Sequence, residues 1–456
     1  MFSKVLVANR GEIALQIIRS LQEMNIKAVA IYSTADKNEL FVKQADEAVC
    51  IGEGPANKSY LDMSEVISAA VLTGCEALHP GYGFLSENAE FAELCESCGI
   101  TYIGPKYQTI NLMGNKSNAR LTMKNSGVPV IPGSDGLVDT AEDAVKIAEQ
   151  IGYPVMLKAA DGGGGKGMRQ ANNKEEVLTL FEQTQQEAKL SFNNGSLYLE
   201  KIIEKAKHIE VQVMSDQFGN TVYFPERDCS LQFHHQKVLE ETPCRLINDN
   251  QRQQLGEIVV KACQEIGYLN TGTFEFLMDE DQNFYFMEMN TRLQVEHTVT
   301  EEVSGVEMIK TQIKVAAGEA LPFKQEDVKA TGHALECRIN AQNPAQNFTP
   351  SPGQIKKLNL PMGTLGVRID TGITADSFIS PYYDSMIAKL IVHMDTREQT
   401  INKMKRLLGE FEIEGVKSNH LFLRDLLSDE TVENETFNND YIEHSFFKRW
   451  VSDDTK

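Results

Sequence analysis

The sequence predicts an α/β protein (α+β overall) that opens on a doubly wound parallel sheet and closes on a mixed α/β unit. Three observations predict it: a strand–helix–strand alternation at the start, a glycine-rich turn between strand-like runs in the middle, and renewed strand and helix patterns after about residue 330. The 456 residues, 41% hydrophobic and 24% charged, suffice for about two to four units and a core that needs no disulfide staple.

In chain order, Lys4–Ala8 (KVLVA) reads as a buried strand, and Ile13–Leu21 sets Ala14, Ile17, Ile18 and Leu21 at helical spacing. Ala28–Tyr32 (AVAIY) then returns to strand, the order expected of a parallel sheet. The intervening loop Asn9-Arg10-Gly11-Glu12 lacks G-x-G-x-x-G, which argues against a dinucleotide site. His79–Asn88 (HPGYGFLSEN) is loop-like in its Pro and Gly content and carries enough polar reach to be a site loop. This first domain is expected to span 1–114. Lys116–Lys124 reads as a helix and Val128–Gly133 as a link into a second domain, 115–330. A break at Leu321-Pro322-Phe323 follows the helical run Ile309–Ala317. The last domain, 331–446, mixes strands (His333–Ile339, Met386–Val392) with an amphipathic helix at Ile401–Leu408, and 447–456 is a tail.

Lys and Arg number 44 against 65 Asp and Glu, a net charge of −21. A field of that sign repels phosphate backbones and anionic lipid, so neither nucleic acid nor membrane is an expected partner. An anionic substrate therefore needs a locally basic pocket. No run approaches the ~18 apolar residues of a membrane span, and the apolar run at the start is short for a secretory leader. A cytoplasmic enzyme is expected. The eight cysteines are scattered; Cys95-x-x-Cys98 has no second pair or His partners at zinc spacing, and buried thiols are the expectation.

Val155–Ala160 reads as a strand carrying Lys158, followed by Asp161-Gly162-Gly163-Gly164-Gly165-Lys166-Gly167. Successive glycines leave backbone N–H groups open to a polyphosphate. The spacing excludes a Walker P-loop, because Ala160 stands where its first Gly belongs and Gly167 follows the lysine. With strand-like flanks, a hairpin covering a nucleotide is expected.

Thr273–Met278 (TFEFLM) and Phe284–Asn290 (FYFMEMN) read as a hairpin. A turn centred on Glu280–Asn283 sets Glu275 across from Glu288, with Asn290 on the same face. Facing carboxylates destabilise a sheet unless a cation sits between them, and oxygen donors of this kind suit Mg²⁺. If the backbone stays extended, Glu288, Asn290, Arg292, Gln294 and Glu296 share one edge. That edge reads as metal ligands followed by a substrate clamp.

The glycine loop with Lys158 before it, the set Glu275…Glu288-x-Asn290, and Met289–Thr298 (MNTRLQVEHT) resemble the biotin carboxylases of the ATP-grasp superfamily. The resemblance covers nearly the whole chain. It includes Ala8–Ile13 (ANRGEI), His79–Asn88, Glu226–Glu241 (ERDCSLQFHHQKVLEE), Phe348–Ile355 (FTPSPGQI) and Tyr382–Ile391 (YYDSMIAKLI). It implies a central ATP-grasp domain with a mobile glycine-rich lid at about 131–203. ATP would be held by Lys116, Lys158, Gly164, Gly165, Glu200, Lys201, Ile203, His208, Gln232 and His235, with Glu275 and Glu288. Glu275, Glu288 and Asn290 would bind two Mg²⁺ ions, with Mn²⁺ as a substitute. Lys237, Arg292, Gln294 and Val295 would hold bicarbonate, Glu296 would be its base, and Tyr82 and Arg338 would meet the biotin ring. Arg292, Glu296, Lys237 and Arg338 are thus the implied catalytic set. Two positions depart from the family: Lys166 stands where members often carry Arg, and Phe233-His234 where they often carry two Arg.

The chemistry explains the residue types. Bicarbonate is a poor nucleophile until deprotonated, so a carboxylate base beside it is useful. Arg292, four residues before Glu296, is placed to hold the anion. The family's reaction passes through carboxyphosphate, which yields CO₂ and phosphate, and Arg338 would stabilise the biotin enolate.

The implied setting is the first half-reaction of acetyl-CoA carboxylase in malonyl-CoA and fatty acid synthesis. The biotin carboxyl carrier protein and the carboxyltransferase are expected as separate chains, since no Met-Lys-Met motif is present, and a homodimer is implied. Alternatives are the corresponding subunit of another acyl-CoA or small-acid carboxylase, a purine-pathway carboxylase acting on aminoimidazole ribonucleotide, and a non-catalytic nucleotide-binding module. A sensor has no need of both Arg292 and Glu296.

Overall fold

Strand Lys4–Val7 and helix Gly11–Glu23 begin a five-stranded sheet whose order is Glu47–Cys50, Lys27–Tyr32, Lys4–Val7, Ala77–His79, Thr101–Tyr102. All four pairings are parallel, as the β-α-β pattern predicts. The computed structural model describes residues 1–160, 167–192 and 194–454. They form two units: Met1–Asn111 with Lys207–Phe274 and Asn290–Lys456, and Leu112–Ala206 with Glu275–Met289.

In the larger unit the parallel sheet reverses its order between Lys4–Val7 and Ala77–His79. Loops at such a switch point are where open α/β sheets bind ligands. The buried Asn9 ties the two loops together, its Nδ2 donating to the Pro80 and Tyr82 carbonyls at 2.7 and 2.8 Å. Gly81 makes this approach possible: its φ is +63°, and a Cβ there would lie 2.9 Å from Asn9 Nδ2. Asn88 ends the loop and caps helix Ala89–Ser97 by accepting from the Phe91 N–H.

An antiparallel sheet makes up most of the rest of this unit. Its order is Lys207–Ser215, Arg227–Phe233, Gln236–Thr242, His333–Asn340, Met386–Met394, Val367–Thr371, with Asn270–Met278 flanking the first strand. The strand at His333 is a central member of this sheet, paired to Gln236–Thr242 on one side and Met386–Met394 on the other. Side chains alternate along it. Leu335, Cys337 and Ile339 join a core completed by Ile401, Met404, Leu407 and Leu408 of helix Arg397–Glu410. Glu336 and Arg338 take the opposite face. Cross-strand pairing adds Glu240 opposite Glu336, Lys389 opposite Arg338, and Asp370 opposite Lys389. One face of the sheet is therefore oil and the other ionic. The segment expected as a tail is a helix through Asp454, with Phe447 and Trp450 packed on the same core.

The smaller unit holds a three-stranded antiparallel sheet, Met168–Ala171, Val155–Ala159, Leu197–Lys201. Helices Ala141–Ile151 and Lys174–Phe192 supply Val145, Val177 and Phe181 to its core. The expected strand flanks of the glycine loop are thus present. Asp161–Lys166, with Gly164, Gly165 and Lys166, lie outside the described residues.

No helix among the described residues is long and apolar enough to cross a membrane. Leu407→Ala should lower stability by about 2–5 kcal/mol, as expected for a fully buried leucine. Asn402→Ala, on the exposed face of the same helix, should stay within about 0.5 kcal/mol; urea unfolding of both compares them directly.

Candidate active site

In the smaller unit, strand pairing sets Lys158 across from Tyr198 and Met156 across from Glu200, which brings Lys158 and Glu200 to one face. Lys158 Nζ lies 2.5 Å from Glu200 Oε2, and Arg120 Nε is 3.8 Å from the other oxygen. Lys201 is committed elsewhere, donating to the Tyr153 carbonyl at 2.6 Å. Ile203 is half-buried in the segment that follows the strand. Lys116, at the first turn of helix Lys116–Asn125, lies 3.1 Å from Glu288.

Strands Asn270–Met278 and Phe284–Asn290 form the expected hairpin. Its turn is tighter than the sequence implied: Asp279 donates to the Asn283 carbonyl at 3.1 Å, leaving Glu280–Gln282 as the loop. Glu275 is buried and Glu288 half-exposed. Glu275 and Glu288 both belong to the smaller unit, and carboxylate oxygens are hard donors of the kind Mg²⁺ takes.

The extended edge predicted from Glu288 to Glu296 stops at Asn290. Thr291 N–H and Arg292 Nε both donate to the Glu87 carboxylate, at 3.0 and 2.7 Å, which takes the Thr291 amide out of the ladder. The chain then turns into helix His297–Ser304, with Glu296 at its N-cap. Arg292 consequently sits with Glu87 and with Asn290 Oδ1 at 2.9 Å. The carboxylate of Glu296 lies beside different cations.

Those cations belong to the ionic face of the sheet. Glu296 Oε1 is 2.6 Å from Lys237 Nζ, and its Oε2 is 2.9 Å from Arg338 Nη2. Lys237 also bonds Glu210, and Arg338 Nε donates to Glu240 at 2.6 Å. Arg227, fully buried, grips Glu210 Oε2 at 2.9 Å and Gln294 Oε1 at 2.5 Å. Three acids (Glu210, Glu240, Glu296) thus meet three cations (Arg227, Lys237, Arg338). Asn419 steadies Arg338 by donating to its carbonyl at 3.0 Å. Burial alone would push the Glu296 carboxyl up, but Lys237 and Arg338 outweigh burial and hold it below the ordinary carboxylate range. Glu240 goes the other way, raised by burial against the pull of Arg338. Burial also keeps the nearby Cys229 thiol protonated, in keeping with a structural role.

His208 and Gln232 meet through Nδ1 and Nε2 at 3.0 Å, with His208 Nε2 3.2 Å from Glu210. His235 lies exposed in the two-residue turn His234-His235, where both residues have positive φ. Phe233, one of the departures from the family, is buried in an aromatic cluster with Phe348 and Phe447 at 4.3 and 4.8 Å. Its neighbour His234 pairs with Glu443. Tyr82 donates its hydroxyl to Glu12, and the Val295 carbonyl accepts from Lys389 at 3.1 Å.

Glu210, Arg227, Glu240, Asn419 and Lys389 were given no role from sequence, and Glu87 only a place in the polar loop His79–Asn88. A signal existed for some of them, since Glu210 and Glu240 are acids inside otherwise buried strands.

Residues 115–324 match the carbamoyl-phosphate synthase L chain, ATP binding domain. Together with the carboxylate hairpin and the ionic face, this defines the class: an ATP-dependent ligase of the ATP-grasp superfamily. Residues 1–110 match the biotin carboxylase N-terminal domain and 336–444 the biotin carboxylase C-terminal domain. Biotin carboxylase 1 of Bacillus subtilis is 52% identical over 97% of this chain and 98% of its own length. Among solved structures, the biotin carboxylase domain dimer of Hydrogenobacter thermophilus 2-oxoglutarate carboxylase, with MgADP, ADP and bicarbonate, superposes at a TM-score of 0.92. It is 47% identical and covers 97% of each chain. The Campylobacter jejuni biotin carboxylase complex with βγ-ATP gives 0.92 at 46% identity, covering 97% and 99%. The chain belongs to the biotin carboxylase family.

Lys237 favours the charged form of Glu296, so Lys237→Met should favour the protonated form. The titration of the Glu296 carboxyl, followed by isotope-edited NMR in wild type and variant, should move to higher pH.

Proposed function

We propose that this chain carboxylates biotin on a biotin carboxyl carrier protein, using ATP and bicarbonate, as the first half-reaction of acetyl-CoA carboxylase. The observation that carries this is the Glu296 carboxylate, with one oxygen on Lys237 and the other on Arg338. A base held between the bicarbonate lysine and the biotin arginine serves both halves of the reaction.

Lys116, Lys158, Gly164, Gly165, Glu200, Lys201, Ile203, His208, Gln232 and His235 hold ATP in this reading. Glu275, Glu288 and Asn290 would hold two Mg²⁺ ions, or Mn²⁺, which when bound would neutralise charge on the transferring phosphoryl group. Lys237, Arg292, Gln294 and Val295 hold bicarbonate. Glu296, kept ionised by its two cations, receives the bicarbonate proton as the bicarbonate oxygen attacks the γ-phosphate and ADP leaves. Carboxyphosphate then breaks down to CO₂ and phosphate, and phosphate takes the biotin N1′ proton. Arg338 stabilises the enolate, Tyr82 lies against the ring, and the biotin nitrogen attacks CO₂. Before substrate arrives, the cations rest on the protein's own carboxylates. Bicarbonate therefore exchanges one set of charge-assisted bonds for another rather than entering a bare basic pocket.

A carboxyltransferase partner, a homodimer and a cytoplasmic setting complete the proposal. The dimer in the Hydrogenobacter thermophilus structure supports the second, and the eight free cysteines, six of them buried, support the third. The same relative serves 2-oxoglutarate carboxylase, so a small-acid acceptor system is the second reading.

ADP release by the purified protein with Mg-ATP should depend on bicarbonate and rise with free biotin. Release indifferent to biotin would point to a different bicarbonate-using ligase. Carrier-bound carboxybiotin offered to acetyl-CoA and to 2-oxoglutarate carboxyltransferases separates the two acceptor readings by which product forms. Arg338→Ala should lose about 10²–10³ in biotin carboxylation while nucleotide binding, measured by calorimetry, is retained.

A further inference from the structure

Lys389 is a fully buried cation that the reaction above leaves unused. It lies on strand Met386–Met394, between Arg338 of one neighbouring strand and Asp370 of the other, and its side chain is 0% exposed. A lysine so placed is costly unless fully partnered, and an apolar residue would pack there without that cost. Its partners are specific. Nζ donates to the Val295 carbonyl at 3.1 Å, lies 3.2 Å from Glu12 Oε1 and 3.9 Å from Asp370 Oδ2, and stands 5.8 Å from the centroid of the Tyr82 ring.

Glu12 completes the bridge. It is buried at the start of helix Gly11–Glu23, accepts the Tyr82 hydroxyl, and accepts Gln16 Nε2 at 2.8 Å. One ammonium thus touches the turn that carries Val295 and Glu296 and, through its ring face and through Glu12, the side chain of Tyr82. Burial works against the charge of Lys389, and Glu12, Glu336 and Asp370 around it more than restore it.

We infer that Lys389 is a positioning residue that sets the biotin contact Tyr82 and the bicarbonate-binding turn at Val295 from a single buried charge. The inference rests on the roles given above to Tyr82 and Val295. Because both contacts hang on one ammonium, its loss disturbs both substrates together. Among the described residues its partners are Val295, Glu12 and Asp370, none of them given a nucleotide role above, so ATP should be spared.

The test is steady-state kinetics on wild type, Lys389→Met and the charge-matched double variant Glu12→Gln/Lys389→Met, each checked for folding by thermal melting. The double variant removes both charges of the pair and guards against a single variant that fails to fold. KM for biotin and for bicarbonate should each rise at least about tenfold, the loss expected for a hydrogen bond to a charged group, with KM for ATP within twofold of wild type. A folded double variant with wild-type KM for biotin and bicarbonate overturns the inference, as does a rise shared equally by ATP. Wild type that releases ADP without regard to biotin would instead refute the reaction proposed above, so the two failures are distinct.

Discussion

The site depends on one constraint: carboxylates buried in a sheet must be matched by cations. Glu210, Glu240 and Glu296 are each 2% exposed or less, and an unpaired charge at that depth costs several kcal/mol. Arg227 and Lys237 answer Glu210, Lys237 and Arg338 answer Glu296, and burial lifts the Glu240 carboxyl even beside Arg338. Glu240 stands directly opposite Glu336 across two strands, a pairing that would push the strands apart without Arg338 next to it. The register of the central strands and the balance of charge on their ionic face therefore stabilise each other.

The same balance prepares the chemistry. Because Glu296 shares both oxygens with cations, it stays ionised in a place where burial alone would protonate it. In the proposed reaction this supplies a base that is buried yet charged. Arg338 is held from three sides, by Glu240, by Glu296 and through its own carbonyl by Asn419, so its guanidinium needs little reorganisation when charge develops beside it. Topology brings in the remaining pieces. The order reversal of the parallel sheet opens the loop that carries Tyr82 and Glu87, and Glu87 fixes Arg292.

Much of this was legible in local pattern. The first strand, helix and second strand, the hairpin strands Thr273–Met278 and Phe284–Asn290, and the strands at His333 and Met386 follow from periodicity that packing did not override. The predicted edge from Glu288 to Glu296 failed for a reason local pattern does not contain. Glu87, about two hundred positions earlier, captures the Thr291 amide and ends the strand. The residues missed outright, Glu210, Arg227, Glu240, Asn419 and Lys389, all act through partners distant in sequence. An acid in a strand announces that it is costly, but nothing local says which cation answers it.

Alone, the sequence determined most of the segments that become strands and helices, and it supplied the motifs from which phosphate, metal and bicarbonate roles are proposed, because these depend on neighbours a few positions apart. The tertiary structure alone decided which charges meet. Lys237 and Arg338 close on the two oxygens of Glu296, and Lys389, paired with Arg338 across neighbouring strands, reaches both Val295 and Tyr82. Ion pairing falls steeply with distance and with exposure to water, so only the fold could set these pairs close and dry.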